Sequence, residues 1–150
     1  MGVGGTGARA GFGLAPGERI ADMAAQGMIR AARDLAPGQI QPASLDLRLG
    51  PKAWRVRASF LPGPRRSVEE ALSAAVFDEI DLTGNGAVLE RGCVYVVPLL
   101  ESLALPQDVA AAANPKSSTG RLDIFTRLIA DRSDIFDAAP PGYRGPLYAE

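Results

Sequence analysis

Glycine and proline interrupt this chain so often that long helices have little room, and this punctuation constrains the fold more than any other feature. The 17 glycines and 12 prolines divide 150 residues into short runs. Within those runs, apolar and polar residues mostly alternate. In Ser44-Leu45-Asp46-Leu47-Arg48-Leu49 the leucines share one side and the polar residues the other. That period of two predicts a half-buried strand, ended by Gly50-Pro51, with Asp46 and Arg48 on one face as a weak ion pair or solvated surface. Trp54, Val56, Ala58 and Phe60 alternate with Arg55, Arg57 and Ser59 and predict a second strand, broken at Pro62-Gly63-Pro64. Further strands are expected at residues 79–82, 88–89, 94–97 and from 146 to 150, with an apolar segment over 99–105 stopped by Pro106. Residues 122–130 read as a helical start turning into a strand.

Two stretches follow a helical period instead. Ile20, Met23, Ala24 and Met28 predict a helix over residues 18–33, weakened at Gly27 and stopped by Pro37-Gly38. Residues 67–77 predict a second, with Ser67 as N-cap and Glu69 and Glu70 in the first turn, where negative charge is favoured. Many short strands with one or two short helices predict a mainly β barrel or roll. The length suits one domain, expected over residues 16–150 after a disordered, Gly-rich tail over 1–15.

Residue types limit the chemistry. There is one cysteine, Cys93, and no histidine. A His or Cys beside a Cys-x-x-Cys pair, as zinc deaminases use, cannot be built, nor can Ser-His-Asp or Cys-His machinery. Acid–base work falls to carboxylates, Lys, Tyr or water. A lone thiol makes no internal disulfide and suits a reducing cytoplasm. With 16 basic against 17 acidic residues, no broad nucleic-acid footprint is expected. No apolar run approaches the ~20 residues of a membrane span.

Four local features bear on function. Gly2 to Gly7 contain a Gly-x-Gly-x-x-Gly match, but no strand precedes it and no helix follows, so it reads as part of the tail. Lys116-Ser117-Ser118-Thr119-Gly120-Arg121 gathers two hydroxyls between two cations. It reads as an anion cradle or as an ordinary polar turn. Glu150 ends a β-like run; on a desolvated strand such a carboxylate could act as base and then acid, and from the residues alone a solvated terminal residue is the plainer reading. Arg65 and Arg66, with Arg55 and Arg57, read as a solvated basic face or a contact between subunits.

Three motifs together resemble the dCTP deaminase family of the trimeric dUTPase-like superfamily. They are Gln41-Pro42-Ala43-Ser44-Leu45-Asp46-Leu47-Arg48-Leu49-Gly50, then Lys116-Ser117-Ser118-Thr119-Gly120-Arg121-Leu122, then Gly142-Tyr143-Arg144-Gly145-Pro146-Leu147-Tyr148-Ala149-Glu150. They are most similar to the long proteobacterial form, in which the last strand continues past Glu150, so a truncated piece that binds dCTP weakly and turns over slowly or not at all is expected. The resemblance implies a distorted β-roll, a homotrimer with active sites between subunits, and hydrolysis of dCTP to dUTP and ammonia, supplying dUTP for dUMP and dTTP synthesis. It implies that Glu150 activates the water that attacks C4, that Ser117 and Arg121 hold that water and the exocyclic group, and that Lys116, Ser117 and Ser118 lie near the triphosphate. It implies Tyr143 against the deoxyribose, Asp137 at the 3'-hydroxyl, and Ala130 and Arg132 at the pyrimidine. Mg2+ would ride on the phosphates, without catalytic zinc or a protein metal site. Lys116 stands where short members carry Arg. A bifunctional deaminase that also cleaves dUTP, or a non-catalytic nucleotide-binding trimerisation module, are the competing readings.

Overall fold

The computed structural model describes residues 13–150. The Gly-x-Gly-x-x-Gly match and most of the expected tail lie outside the described residues. In chain order the elements are α1 (Gly17–Ala25), β1 (Ile29–Ala31), β2 (Lys52–Val56), α2 (Val68–Ala75), β3 (Val76–Asp81), β4 (Val94–Ala104), β5 (Ala111–Ala112), α3 (Ser117–Gly120), β6 (Leu128–Ala130), β7 (Ala138–Ala139) and β8 (Arg144–Ala149). The architecture is mainly antiparallel sheet with few short helices, as the punctuation predicts.

The main sheet runs β3-β2-β4-β8-β6, with β1 also paired to β4, and β5 pairs with β7 apart from it. The long strand β4 is the hub. Its first half pairs with β2, its second half with β1, and both halves with β8. The β4–β8 register shifts between Pro98 and Ser102, where proline cannot donate to the ladder. The two apolar segments expected over 94–97 and 99–105 therefore form one strand across this irregularity.

Side chains alternate across a strand, and here both faces are covered. Leu128, Ala130 and Leu147 face a core with Ile20 and Met23 of α1. Ile129 and Tyr148 face a second core with Trp54, Val68 and Leu72. The strands β6 and β8 are thus sandwiched, and their near-continuous apolar sequence follows from that. The N-cap of α2 is Ser67, which accepts from the Glu70 amide at 3.1 Å while Glu70 accepts from the Ser67 amide at 2.6 Å. This reciprocal pair satisfies two amides that the helix itself cannot. Bonds from the Ser67 amide and hydroxyl hold the Glu70 carboxyl below its usual range.

Several sequence expectations change. The first helix ends at Ala25, because Gly27 takes φ 74° and turns the chain into β1. Residues 44–49 form no continuous ladder; their region carries only isolated bridges, Ile40 to Leu45 and Leu49 to Leu99. Leu45 and Leu47 pack on the first core, but Leu49 is exposed. On the polar side of that segment Arg48 meets the buried Glu101 carboxylate and Asp46 meets Lys116. The strand expected over 54–60 closes at Val56, and Val88 and Leu89 lie exposed outside any strand. The helical turn near residue 122 begins earlier, at Ser117. No helix among the described residues is long and apolar enough to cross a membrane.

Candidate active site

Glu150 continues the β6–β8 ladder. Its amide donates to the Arg127 carbonyl at 2.8 Å, and the Arg127 amide returns a bond at 2.9 Å. The backbone is therefore fixed although the residue lies just past β8. Its carboxylate accepts from the Ser59 hydroxyl at 2.7 Å and from the Phe60 amide at 3.4 Å. Alternation sends Glu150 to the same face as Tyr148, and Phe60 packs against that second core. The carboxylate is half-buried and aimed by neutral donors. Ser59 was not legible as its partner, since it reads as one polar position of an alternating run.

Lys116, Ser117, Ser118 and Arg121 are exposed around the single turn α3. The turn closes through the Thr119 and Gly120 amides, which donate to the Lys116 carbonyl at 2.9 and 3.3 Å, and the Arg121 amide, which donates to Ser117 at 3.1 Å. Lys116 forms an ion pair with Asp46. Among the described residues Arg121 forms no ion pair, and Glu150 meets neither Arg121 nor Ser117 through a hydrogen bond.

Asp137 takes φ 61° and binds Arg127 Nε at 2.6 Å and the Leu128 amide at 2.8 Å. Arg127 also stacks over Phe136, 4.6 Å from the ring centre. Asp137 and Lys116 line one cleft of about 600 Å3 with Asp46 and Arg127 on its polar side. Leu128, Leu147 and Ala149 contribute to its apolar wall, which puts this cleft on the face of the sheet opposite to Glu150.

Ala130 is fully buried in β6. Beyond it, Asp131 accepts from the Val68 amide at 2.8 Å, and the Arg132 amide, at φ 54°, donates to the Arg66 carbonyl at 3.0 Å. Residues 131–133 are thereby docked on the loop before α2. Tyr143 is buried at 8% exposure. Its hydroxyl accepts from the Asp131 amide at 3.0 Å and donates to the Pro146 carbonyl. Burial pushes this phenol up to about 12. Tyr143 thus ties the Gly142 turn to the segment after β6. The structure brings Ala130, Arg132 and Tyr143 together as one group, Lys116 and Asp137 as a second, and leaves Glu150 with Ser59.

The basic residues divide as well. Arg55 pairs with Glu90 at 2.8 Å and donates to Cys93 Sγ at 2.9 Å, and Arg55 and Arg57 both lie over Phe77. Among the described residues, no group of three His, Cys, Asp or Glu side chains is arranged to hold a metal ion.

Residues 11–150 match the family model described as the 2'-deoxycytidine 5'-triphosphate deaminase N-terminal domain. The chain is 32% identical over 112 residues to a dCTP deaminase of Haloarcula marismortui, covering 75% of this chain and 54% of that one. It is 34% identical over 119 residues to a dCTP deaminase of Alteromonas mediterranea, covering 75% and 57%. The crystal structure of a 2'-deoxycytidine 5'-triphosphate deaminase from Agrobacterium tumefaciens superposes with a TM-score of 0.87 at 56% identity, over 91% of this chain and 40% of that chain. The chain spans about half the length of the curated relatives it matches.

Proposed function

This chain belongs to the 2'-deoxycytidine 5'-triphosphate deaminase family, and from that premise we propose that it works in the hydrolytic deamination of dCTP to dUTP and ammonia. The fold is accordingly of the dUTPase-like kind. The observation that carries the proposal is the Glu150 carboxylate, half-buried on a fixed strand end and oriented by Ser59 and Phe60. It takes a proton from water as the oxygen attacks C4 of cytosine. The carboxyl passes that proton to ring N3 as C4 becomes tetrahedral, then takes the proton of the new hydroxyl and delivers it to the exocyclic nitrogen, so that the C4–N bond breaks and ammonia leaves a C4 carbonyl beside a protonated N3. One carboxyl serves as base and then acid, which suits a chain without histidine.

Ser117 and Arg121 hold the water and the exocyclic group, and the Arg121 guanidinium offsets the charge that develops. Lys116, Ser117 and Ser118 receive the triphosphate. Mg2+ arrives with those phosphates as part of the substrate, in keeping with its preference for phosphate oxygens and water. Ala130 and Arg132 line the pyrimidine side, Tyr143 checks the sugar and Asp137 accepts from the 3'-hydroxyl. Among the described residues Glu150 bonds to Ser59 and Phe60 and makes no hydrogen bond to the Ser117–Arg121 turn. The missing contact fits a site completed between copies in a homotrimer. A single free thiol suits work in the cytoplasm.

Ammonia release from dCTP, dCMP and CTP tests the assignment, with preference for the deoxy-triphosphate expected. Glu150→Gln should lose about 10^2- to 10^4-fold in turnover, the usual worth of a general base, with dCTP binding kept. An active Glu150→Gln enzyme refutes the assigned base. Mixing inactive Glu150→Gln and Arg121→Ala chains should restore activity if neighbours share a site. Pyrophosphate release in the same assay would reveal a bifunctional enzyme.

A further inference from the structure

Glu101 is the one carboxylate whose side chain is fully buried among the ion pairs of the described residues, at 0% exposure. Burying a carboxylate costs several kcal/mol unless it is paired and hydrogen-bonded, so its partners matter. Gln39 Nε2 and Arg48 Nε each donate to Oε1 at 2.8 Å, and the Arg48 amide donates to Oε2 at 2.8 Å. Each partner then reaches further. Gln39 Nε2 also donates to the Asp46 carbonyl at 2.8 Å, and its Oε1 accepts from the Ala36 amide at 2.9 Å. The Arg48 guanidinium donates to the carbonyls of Arg33 and Asp34 at 2.8 and 2.9 Å. One acid on β4 therefore organises residues 33–48, a stretch with almost no ladder of its own.

The stretch it organises carries Asp46, and Asp46 pairs with Lys116 from 70 residues away. Lys116 directly precedes Ser117 and Ser118. We infer that Glu101 and Asp46 are positioning residues for this turn: Glu101 fixes the backbone on either side of Asp46, and Asp46 fixes the Lys116 ammonium. The inference rests on the reading of Lys116 as a phosphate-binding group. A polyphosphate then meets a cation already held in place rather than one free to sample the conformations of a long side chain.

Electrostatics and positioning predict opposite signs here. Glu101→Gln and Asp46→Asn each remove a negative charge, which by itself would draw a triphosphate closer and lower KM. Positioning predicts that both raise KM for dCTP, by about two- to fivefold, the factor that one partly exposed ion pair commands, with kcat little changed. The double variant should raise KM no further than the stronger single one, because both act through one path. Asp46→Glu should restore KM. Acylation of Lys116, followed by mass spectrometry, reads the contact without substrate and should speed up in both charge-removing variants. Should Glu101→Gln fail to fold, Asp46→Asn carries the test, since its carboxylate is partly exposed. A KM that falls or stays level in Asp46→Asn overturns the inference, as does unchanged Lys116 acylation. A wild-type chain that neither binds nor turns over dCTP, while Lys116 acylation still responds to Glu101, overturns the nucleotide reading and with it the purpose assigned to the contact.

Discussion

Tyr143→Phe removes one oxygen and keeps the ring, so it separates two things this residue could do. The hydroxyl accepts from the Asp131 amide at 3.0 Å and donates to the Pro146 carbonyl, both part-buried. Asp131 in turn accepts from the Val68 amide at 2.8 Å, the first amide of α2. Without the hydroxyl, an amide and a carbonyl lose their partner where water has little access. Leaving a buried polar group unpaired costs about 1–3 kcal/mol, and losing the burial of the phenol oxygen offsets part of the two losses, so about 2 kcal/mol net is expected. For a chain of this size that is a melting point lower by about 4–8 °C. Urea unfolding can be followed by the single tryptophan, Trp54, which sits in the other core and reports on global loss. The midpoint should fall with an unchanged slope, because the surface exposed on unfolding is the same. Hydrogen exchange at Asp131 should accelerate first. The ring remains, so the preference for dCTP over CTP should persist if the ring is the sugar check. An unchanged urea midpoint would refute the reasoning, since it would mean that the hydroxyl is not the tie between the Gly142 turn and the segment after β6.

Alkaline titration should unfold the protein earlier than exposed tyrosines would allow. Burial raises Tyr143 to about 12 and raises Tyr148 as well, whereas an unfolded tyrosine titrates near 10. The native state binds these protons more tightly, so the stabilisation is complete below pH 10 and is lost as pH rises toward 12, at about 1.4 kcal/mol per pH unit per tyrosine. Melting points measured between pH 9 and 12 check the slope, and Tyr143→Phe should flatten it. Ser67→Ala should cost about 1 kcal/mol by removing the N-cap of α2, read as a lower melting point with faster exchange in residues 68–71. In Gly50→Ala the new Cβ would meet the Pro98 carbonyl oxygen at 2.6 Å, a backbone atom that cannot swing away. About 1–3 kcal/mol of destabilisation is expected, and a wild-type urea midpoint would contradict it.

The strength of each local signal explains what the sequence disclosed. The capping of α2 was readable because Ser67 and Glu70 lie three residues apart and interact within one turn. The end of α1 was not, because the apolar spacing continues through Met28, and only the positive φ of Gly27 shows that the chain has already left the helix. The alternation over residues 44–49 correctly marked Leu45 and Leu47 as core-facing. It could not show that Arg48, expected on the solvated side beside Asp46, instead meets Glu101 53 residues away. Glu101 left one readable trace, a lone charge inside the apolar run of residues 94–105. A charge in a strand buried on both faces demands a partner, but sequence separation alone does not single out Arg48 among the arginines of the chain.

The same alternation governs how far the three motifs could be joined. Along β8, Leu147 and Ala149 turn toward the cleft that holds Lys116 and Asp137, while Tyr148 and Glu150 turn toward the second core and Ser59. A shift of one residue in the β6–β8 register would exchange these sets, bringing Glu150 to the cleft and burying its carboxylate against leucines. The register is pinned by Leu128 opposite Ala149 and by the reciprocal Arg127–Glu150 backbone pair, so the exchange is closed to a single chain. Glu150 therefore stays on the side of Ser59, opposite the cleft that holds Lys116.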